Sequence, residues 1–246
     1  MGLPAGTTIT WYGHSCFEIV TPGGRTVIID PWFGNPSSPK AADAVDRCDV
    51  LLVTHGHFDH LGDAVAIAAR LRPVWPCIHE LSLWLGRNLP GGTDAVIGMN
   101  KGGTVDAAGL AVTMTTADHS AGDWNAAGET TLYLGDPVGF VIESEDGYRI
   151  YHAGDTRAFS DMRLIRDLYR PDLAILPIGG HFTMGPVEAA LAVEFLGVKD
   201  VVPMHYGTFP ILTGTPDALR AALVARGLGD VVVHSPAPGG VIGTPA

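Results

Sequence analysis

A chain of 246 residues, 46% hydrophobic and 17% charged, has ample material for a core, and its net charge of −11 argues against a nucleic-acid backbone or an anionic membrane as partner, since both reward a basic face. No apolar run approaches the roughly 18 residues of a membrane span, and the start MGLPAGTTITW lacks the basic and apolar regions of an export signal, so a cytoplasmic protein is expected. Three cysteines, Cys16, Cys48 and Cys77, without short paired spacing read as buried reduced thiols.

Short β runs are expected over residues 8–12, 16–20 and 25–30, the last two joined through Pro22-Gly23-Gly24. Residues 49–54 (DVLLVT) form a continuous apolar run, the pattern of a strand buried on both faces. A His-rich loop follows, then a helix over 62–70 and a shorter one over 81–87, and residues 110–116 alternate as a strand. From Val138 the pattern echoes itself. A hairpin over 138–143 and 148–152 turns at Asp146-Gly147, DLAILPI (172–178) repeats DVLLVT, and a helix over 186–196 follows. Asp30 and Asp155 both close a hairpin strand, 125 residues apart, and Asp49 and Asp172 both open a buried strand, 123 apart. This predicts an α/β fold, a four-layer αββα sandwich of two ββα halves, with no linker to divide it: a single domain over residues 1–246.

The segment His55-Gly56-His57-Phe58-Asp59-His60 carries four metal-preferring side chains in six positions, delivered by a buried strand. Neutral imidazole and carboxylate suit Zn, Mn, Fe, Co or Ni without cysteine, and Gly56 is expected to let the backbone turn. One such cluster cannot fill two metal shells. Further donors stand where other strands hand over to loops: His119, Asp155 and His205.

HGHFDH matches the HxHxDH signature of the metallo-β-lactamase superfamily. The segments WYGHSCF (11–17), YHAGDT (151–156), LPIGGHFTMGP (176–186) and VVPMHYGTFP (201–210) resemble the bacterial metal-dependent hydrolases related to ascorbate-6-phosphate lactonase. That resemblance implies a dinuclear centre with two divalent ions, Zn or Mn first, with Fe, Co or Ni as further choices. His55, His57 and His119 would hold one ion, Asp59, His60 and His205 the other, and Asp155 would bridge them. Two ions sharing a water lower its pKa towards neutrality and polarise a substrate oxygen. The centre then carries about +1 in an acidic protein, which favours a small anionic substrate.

The catalytic candidates are Asp59, His14 in its GHS turn and His181 in its GGH turn, the histidines being placed to polarise substrate or protonate a leaving group. Asp30, ending a strand beside the site, is read either as orienting a ligand histidine or as a turn carboxylate before Pro31, Trp124 either as a pocket wall or as a packed surface residue, and His79 and His234 as ordinary. Thioesterase relatives carry an extra C-terminal helical domain and RNA-processing relatives a large insertion or basic arm. Neither fits this chain, which leaves a small-molecule ester, lactone or phosphoester hydrolase. A phosphodiesterase, and a metal-dependent sensor or ligand-binding protein without turnover, are the alternatives; homo-oligomerisation stays open.

Overall fold

In the computed structural model, which describes residues 2–125 and 128–245, the first three strands form a meander. β1 (Thr8–Trp11), β2 (Phe17–Val20) and β3 (Thr26–Ile29) pair antiparallel, and β4 (Val50–Leu52) then lies parallel to β3. The chain leaves this sheet through α1 (Phe58–Leu61) and α2 (Ala64–Leu71), and returns as β5 (Trp75–Ile78), α3 (His79–Asn88) and β6 (Val96–Met99). β5 and β6 pair in parallel, and a bridge between Val50 and Val74 joins them to the outer side of β4.

The second sheet takes β7 (Thr104–Ala107), β8 (Leu110–Thr116), β11 (Val138–Glu143) and β12 (Arg149–His152), with the small hairpin of β9 (Asp123–Asn125) and β10 (Thr130–Leu132) between β8 and β11. After α4 (Met162–Tyr169) come β13 (Leu173–Pro177), α5 (Pro186–Leu196), β14 (Asp200–Met204), α6 (Pro216–Ala225) and β15 (Val232–Val233). The last strand, β16 (Val241–Gly243), crosses back to pair with β1. The sheet orders are β16-β1-β2-β3-β4 and β15-β14-β13-β12-β11-β8-β7.

The echo between halves is a shared topology. Val27 pairs with Val50 as Ile150 pairs with Leu173, and Phe17 faces Ile29 as Phe140 faces His152, all at a constant offset of 123 residues. This register corrects one detail of the sequence reading. Asp30 is equivalent to Ala153, not to Asp155, because Asp30 follows β3 directly whereas Asp155 lies further along a loop turned at Gly154, φ +64°.

Strand alternation sorts the side chains into layers. On β13, Leu173 and Ile175 join the core between the sheets, while Ala174 and Leu176 pack with Met162 and Ile165 of α4, Val193 of α5 and Leu219 of α6. On the other side, Ala64 and Ile67 of α2 and Leu81 and Leu85 of α3 cover the first sheet. Helix α5 begins at Pro186, with Glu188 Oε2 accepting from Gly185 N–H at 3.2 Å, and ends on the left-handed Gly197. The cysteines are buried and unpaired, as expected; burial pushes the thiols of Cys48 and Cys77 up to about 12. Among the described residues no helix is long and apolar enough to cross a membrane.

Candidate metal centre

The buried run of β4 continues through Val53 and Thr54 into His55, and one turn of helix begins just beyond His57. The amides of His60 and Leu61 both bond the His57 carbonyl, at 3.0 and 2.9 Å, so Asp59 and His60 are presented side by side from a single turn. Gly56 has a different reason from the one expected. Its φ is unremarkable, but a Cβ there would meet the Leu134 side chain at 2.8 Å, so glycine is needed for space.

Around this segment the second sheet supplies its donors. Nitrogens of His55, His57 and His119 lie within 4.8 Å of one another, as do donor atoms of His14, Asp59, His60 and His205, and of His55, His60 and Asp155. His55 Nε2 is 2.8 Å from His57 Nδ1. Asp155 Oδ2 lies 2.9 Å from His205 Nε2, 3.3 Å from His60 Nε2 and 3.8 Å from His119 Nε2, so it stands between the two histidine groups. Asp59 Oδ2 is 3.9 Å from the Nε2 atoms of both His60 and His205.

Two networks hold these donors. Asp30, fully buried, accepts from Thr54 N–H at 2.7 Å, from Thr54 Oγ1–H at 2.8 Å and from His60 Nδ1–H at 2.7 Å, which turns His60 Nε2 towards the cluster. His14, also fully buried, lies with Nε2 2.9 Å from Asp59 Oδ2 and Nδ1 2.9 Å from Thr208 Oγ1. Both of its ring nitrogens are occupied inside the protein, so it bears on Asp59. His14, Asp30, His181 and His205 all have left-handed backbones, φ +51°, +47°, +59° and +54°. Such strain persists only where surroundings over-determine it; Arg72 and Arg170 share it as ordinary helix ends, whereas His14, Asp30 and His205 carry it at or beside the donors. The His205 amide donates to the His14 carbonyl at 2.9 Å, tying two of these turns together.

The donor set fits divalent cations. His60 Nε2 and Asp155 Oδ1 are buried without a well-aligned hydrogen-bond partner, a cost that native proteins rarely carry unless something else satisfies the group. Burial pushes the Asp155 carboxyl up, but His205 and His60 outweigh it and hold it well below the usual range. Burial likewise opposes ionisation of Asp59, and His60 and His14 outweigh it. His60 is the converse: burial lowers it, and Asp155, Asp30 and Asp59 together draw it well above an ordinary histidine. A cation at Nε2 would replace that proton, so metal uptake and proton release are coupled.

The other rings predict acid lability. Burial lowers His14 and His152 to about 4, and depresses His55, His57 and His119 in the same direction. Their contribution to stability is fully present above pH about 6.5, where the unfolded ring is also neutral, and is lost as pH falls towards 4. For each of the buried rings, His14, His55 and His152, the slope is about 1.4 kcal/mol per pH unit; the partly exposed His57 and His119 add less because solvent screens them. His60, with its raised value, stays protonated in the folded state, and once pH falls below about 6.5 the unfolded ring is protonated as well, so it adds little slope through the rest of the window. The metal-free protein should therefore lose melting temperature steadily between pH 6.5 and 4. A flat profile there would mean that these rings are solvated.

A cleft of about 520 Å³ opens over the donors, lined by His57, Asp59, His119, Asp155 and His205 together with Phe58, Phe182 and Phe209. His181 is exposed, its ring edge-on to Phe182 at 4.4 Å. The reading of Trp124 as a wall falls on a side chain outside the described residues. His79 starts α3, and His234 Nε2 bonds Asp200 Oδ1 at 2.7 Å, away from the donors. Sequence reasoning missed Thr54, Thr208 and the phenylalanines. Of these only Thr54 carried a signal, as a polar residue closing an otherwise apolar buried strand.

The chain matches the Beta-lactamase superfamily domain over residues 25–206. It is 49% identical over 216 residues to a UPF0173 metal-dependent hydrolase of Koribacter versatilis (strain Ellin345), covering 87% of this chain and 91% of that protein. It is 45% identical over 240 residues to another from Rubrobacter xylanophilus, covering 97% of each. Among solved structures it is similar to Igni18, a novel metallo hydrolase from the hyperthermophilic archaeon Ignicoccus hospitalis KIN4/I. The TM-score is 0.83 at 36% identity, over 96% of this chain and 97% of that one.

Proposed function

This chain belongs to the metallo-β-lactamase superfamily and, within it, to the UPF0173 metal-dependent hydrolases, and from that premise we propose that it cleaves a small-molecule ester, lactone or phosphoester with two divalent ions, Zn or Mn. The observation that carries this reading is the convergence of seven donors beneath one open cleft. His55, His57 and His119 would hold one ion, Asp59, His60 and His205 the other, and Asp155 would serve both. When bound, the ions supply a water that ionises near neutral pH and Lewis acidity for the substrate oxygen.

The protein's own groups do the rest. Asp59 lines the cleft and is held ionised, so it orients a water by accepting a hydrogen bond and is too weak a base to keep its proton. His14 is a positioning residue, since its Nε2–H bonds Asp59 at Oδ2, the oxygen that faces His60 and His205. Asp30 and Thr54 fix His60 in the same way. His181, adjacent to the cleft-lining Phe182, is proposed to reach a leaving group from the rim.

The test is elemental analysis joined to a metal-reconstituted screen over lactones, phosphodiesters, phosphomonoesters and thioesters. About two divalent ions per chain and turnover of at least one class are expected. No metal after incubation with Zn or Mn would overturn the dinuclear reading. Tight ligand binding without turnover across the panel would make the protein a metal-dependent sensor instead.

A further inference from the structure

The cleft above the donors is walled by aromatic rings. Phe58 is 60% exposed and Phe182 54% exposed, and both line it with the half-buried Phe209. Exposing large apolar rings to water is unfavourable, and a cluster of them beside chemistry marks a binding surface. One wall is already organised. Trp32 packs edge-on against Phe58 at 5.5 Å, 82° between planes, and stacks with Phe209 at 6.0 Å, 29°. Phe182 comes from the loop after β13, following the strained His181.

The charges around the cleft point the same way. Among its described lining residues are Asp59, Asp123 and Asp155, and no lysine or arginine. The nearby cations occupy a neighbouring groove and are paired there, Arg157 with Asp118 at 2.6 Å and Lys101 with Asp136 at 3.2 Å. Away from the ions a dianionic phosphate group would find no side-chain cation in the cleft, whereas an aryl ring or alkyl chain would find three rings.

We propose that the substrate carries an apolar substituent, an aryl ring or unbranched acyl chain, seated among Phe58, Phe182 and Phe209, and no phosphate monoester group. This rests on the hydrolase reading above and narrows its substrate class. The expectation of an anionic substrate, drawn from the centre's net charge, then concerns the reacting group at the ions, and the apolar substituent lies beside it among the rings.

The experiment is calorimetric titration of the metal-loaded full chain with straight-chain hydroxamates from acetyl to octanoyl, and with inorganic phosphate. Each methylene fully removed from water is worth about fourfold in affinity, so Kd should tighten more than tenfold from the acetyl to the hexanoyl compound. Phe182→Ala should cut that acetyl-to-hexanoyl ratio several-fold, and Phe182→Leu should restore part of it. Because Phe182 is half exposed, neither change threatens folding, and metal content by elemental analysis serves as the control. A flat series overturns the proposal, as does inorganic phosphate binding as tightly as the hexanoyl compound. If instead the rings join two copies of the chain, the series is flat and Phe182→Ala halves the sedimenting mass, which also overturns it. Failure of the hydrolase reading shows separately, as absent turnover in the substrate screen whatever the chain-length slope.

Discussion

Replacing Asp155 with alanine is expected to remove metal and turnover together while leaving the secondary structure in place. Its Oδ2 lies within 4 Å of nitrogens from three histidines, His205, His60 and His119, so one substitution withdraws a donor from both proposed ions. Loss of a group that merely supports a ligand typically costs 10–100-fold in metal affinity or activity, so loss of a shared ligand should exceed about 100-fold in both. Folding should survive because Asp155 lies on the loop beyond β12, outside the strand pairing that builds the sheet. Circular dichroism, elemental analysis and steady-state rates decide it. Should Asp155→Ala keep full occupancy and wild-type rates, another residue must bridge.

The second large effect falls on stability. Asp30→Ala removes the acceptor of three hydrogen bonds in a site with no solvent access, stranding Thr54 N–H and His60 Nδ1–H, while the Thr54 hydroxyl keeps His55 Nδ1 at 3.0 Å as a neighbour. Each stranded donor costs about 1–3 kcal/mol, and Asp30 has a left-handed backbone that alanine tolerates less well. A loss of about 3–5 kcal/mol is expected in urea unfolding of the metal-free protein. Asp30→Asn keeps an acceptor and the backbone preference, so it should be cheaper to fold and still bind metal about 10–100-fold more weakly, because His60 is no longer held by a carboxylate. If Asp30→Ala unfolds within about 0.5 kcal/mol of the parent, the network does not carry what its geometry suggests.

How much of this could be read beforehand depends on how far apart the partners lie in the chain. The clustering of the seven candidate donors was legible because each follows a strand that local pattern reveals, and α5 was legible to the residue because Gly185, Pro186 and Gly197 punctuate it. The repeated halves were legible too, although the true offset emerges only from the pairing register. β5 was obscured by Pro76 within a run of four residues, and β6 by Gly98 and its partial exposure. β16 is three residues long and exists because β1 stands beside it, at the opposite end of the sequence. Helix α4, with buried Met162 and Ile165 at i and i+3, had a readable pattern that the strand-centred reading passes over. Within the site, Thr208 meets His14 across 194 residues and Thr54 meets Asp30 across 24, and no local spacing announces either contact. The phenylalanines were invisible for another reason: an aromatic residue in a loop looks the same in sequence whether it is buried or lines a cleft.

The donors come from two different layers. His55, His57, Asp59 and His60 follow β4 of the first sheet, whereas His119, Asp155 and His205 follow β8, β12 and β14 of the second. Beside them the layers are stitched by backbone bonds, Val138 N–H to Thr54 O and His205 N–H to His14 O, both 2.9 Å. Ions held there would act as rivets through a seam. Their binding energy would be stored in the docking of one sheet on the other rather than in the order of a loop, and drawing them out with a chelator would let the whole seam breathe. Amide exchange would then quicken in β4 and β12 together, two strands that share no hydrogen bond and lie a hundred residues apart in the chain.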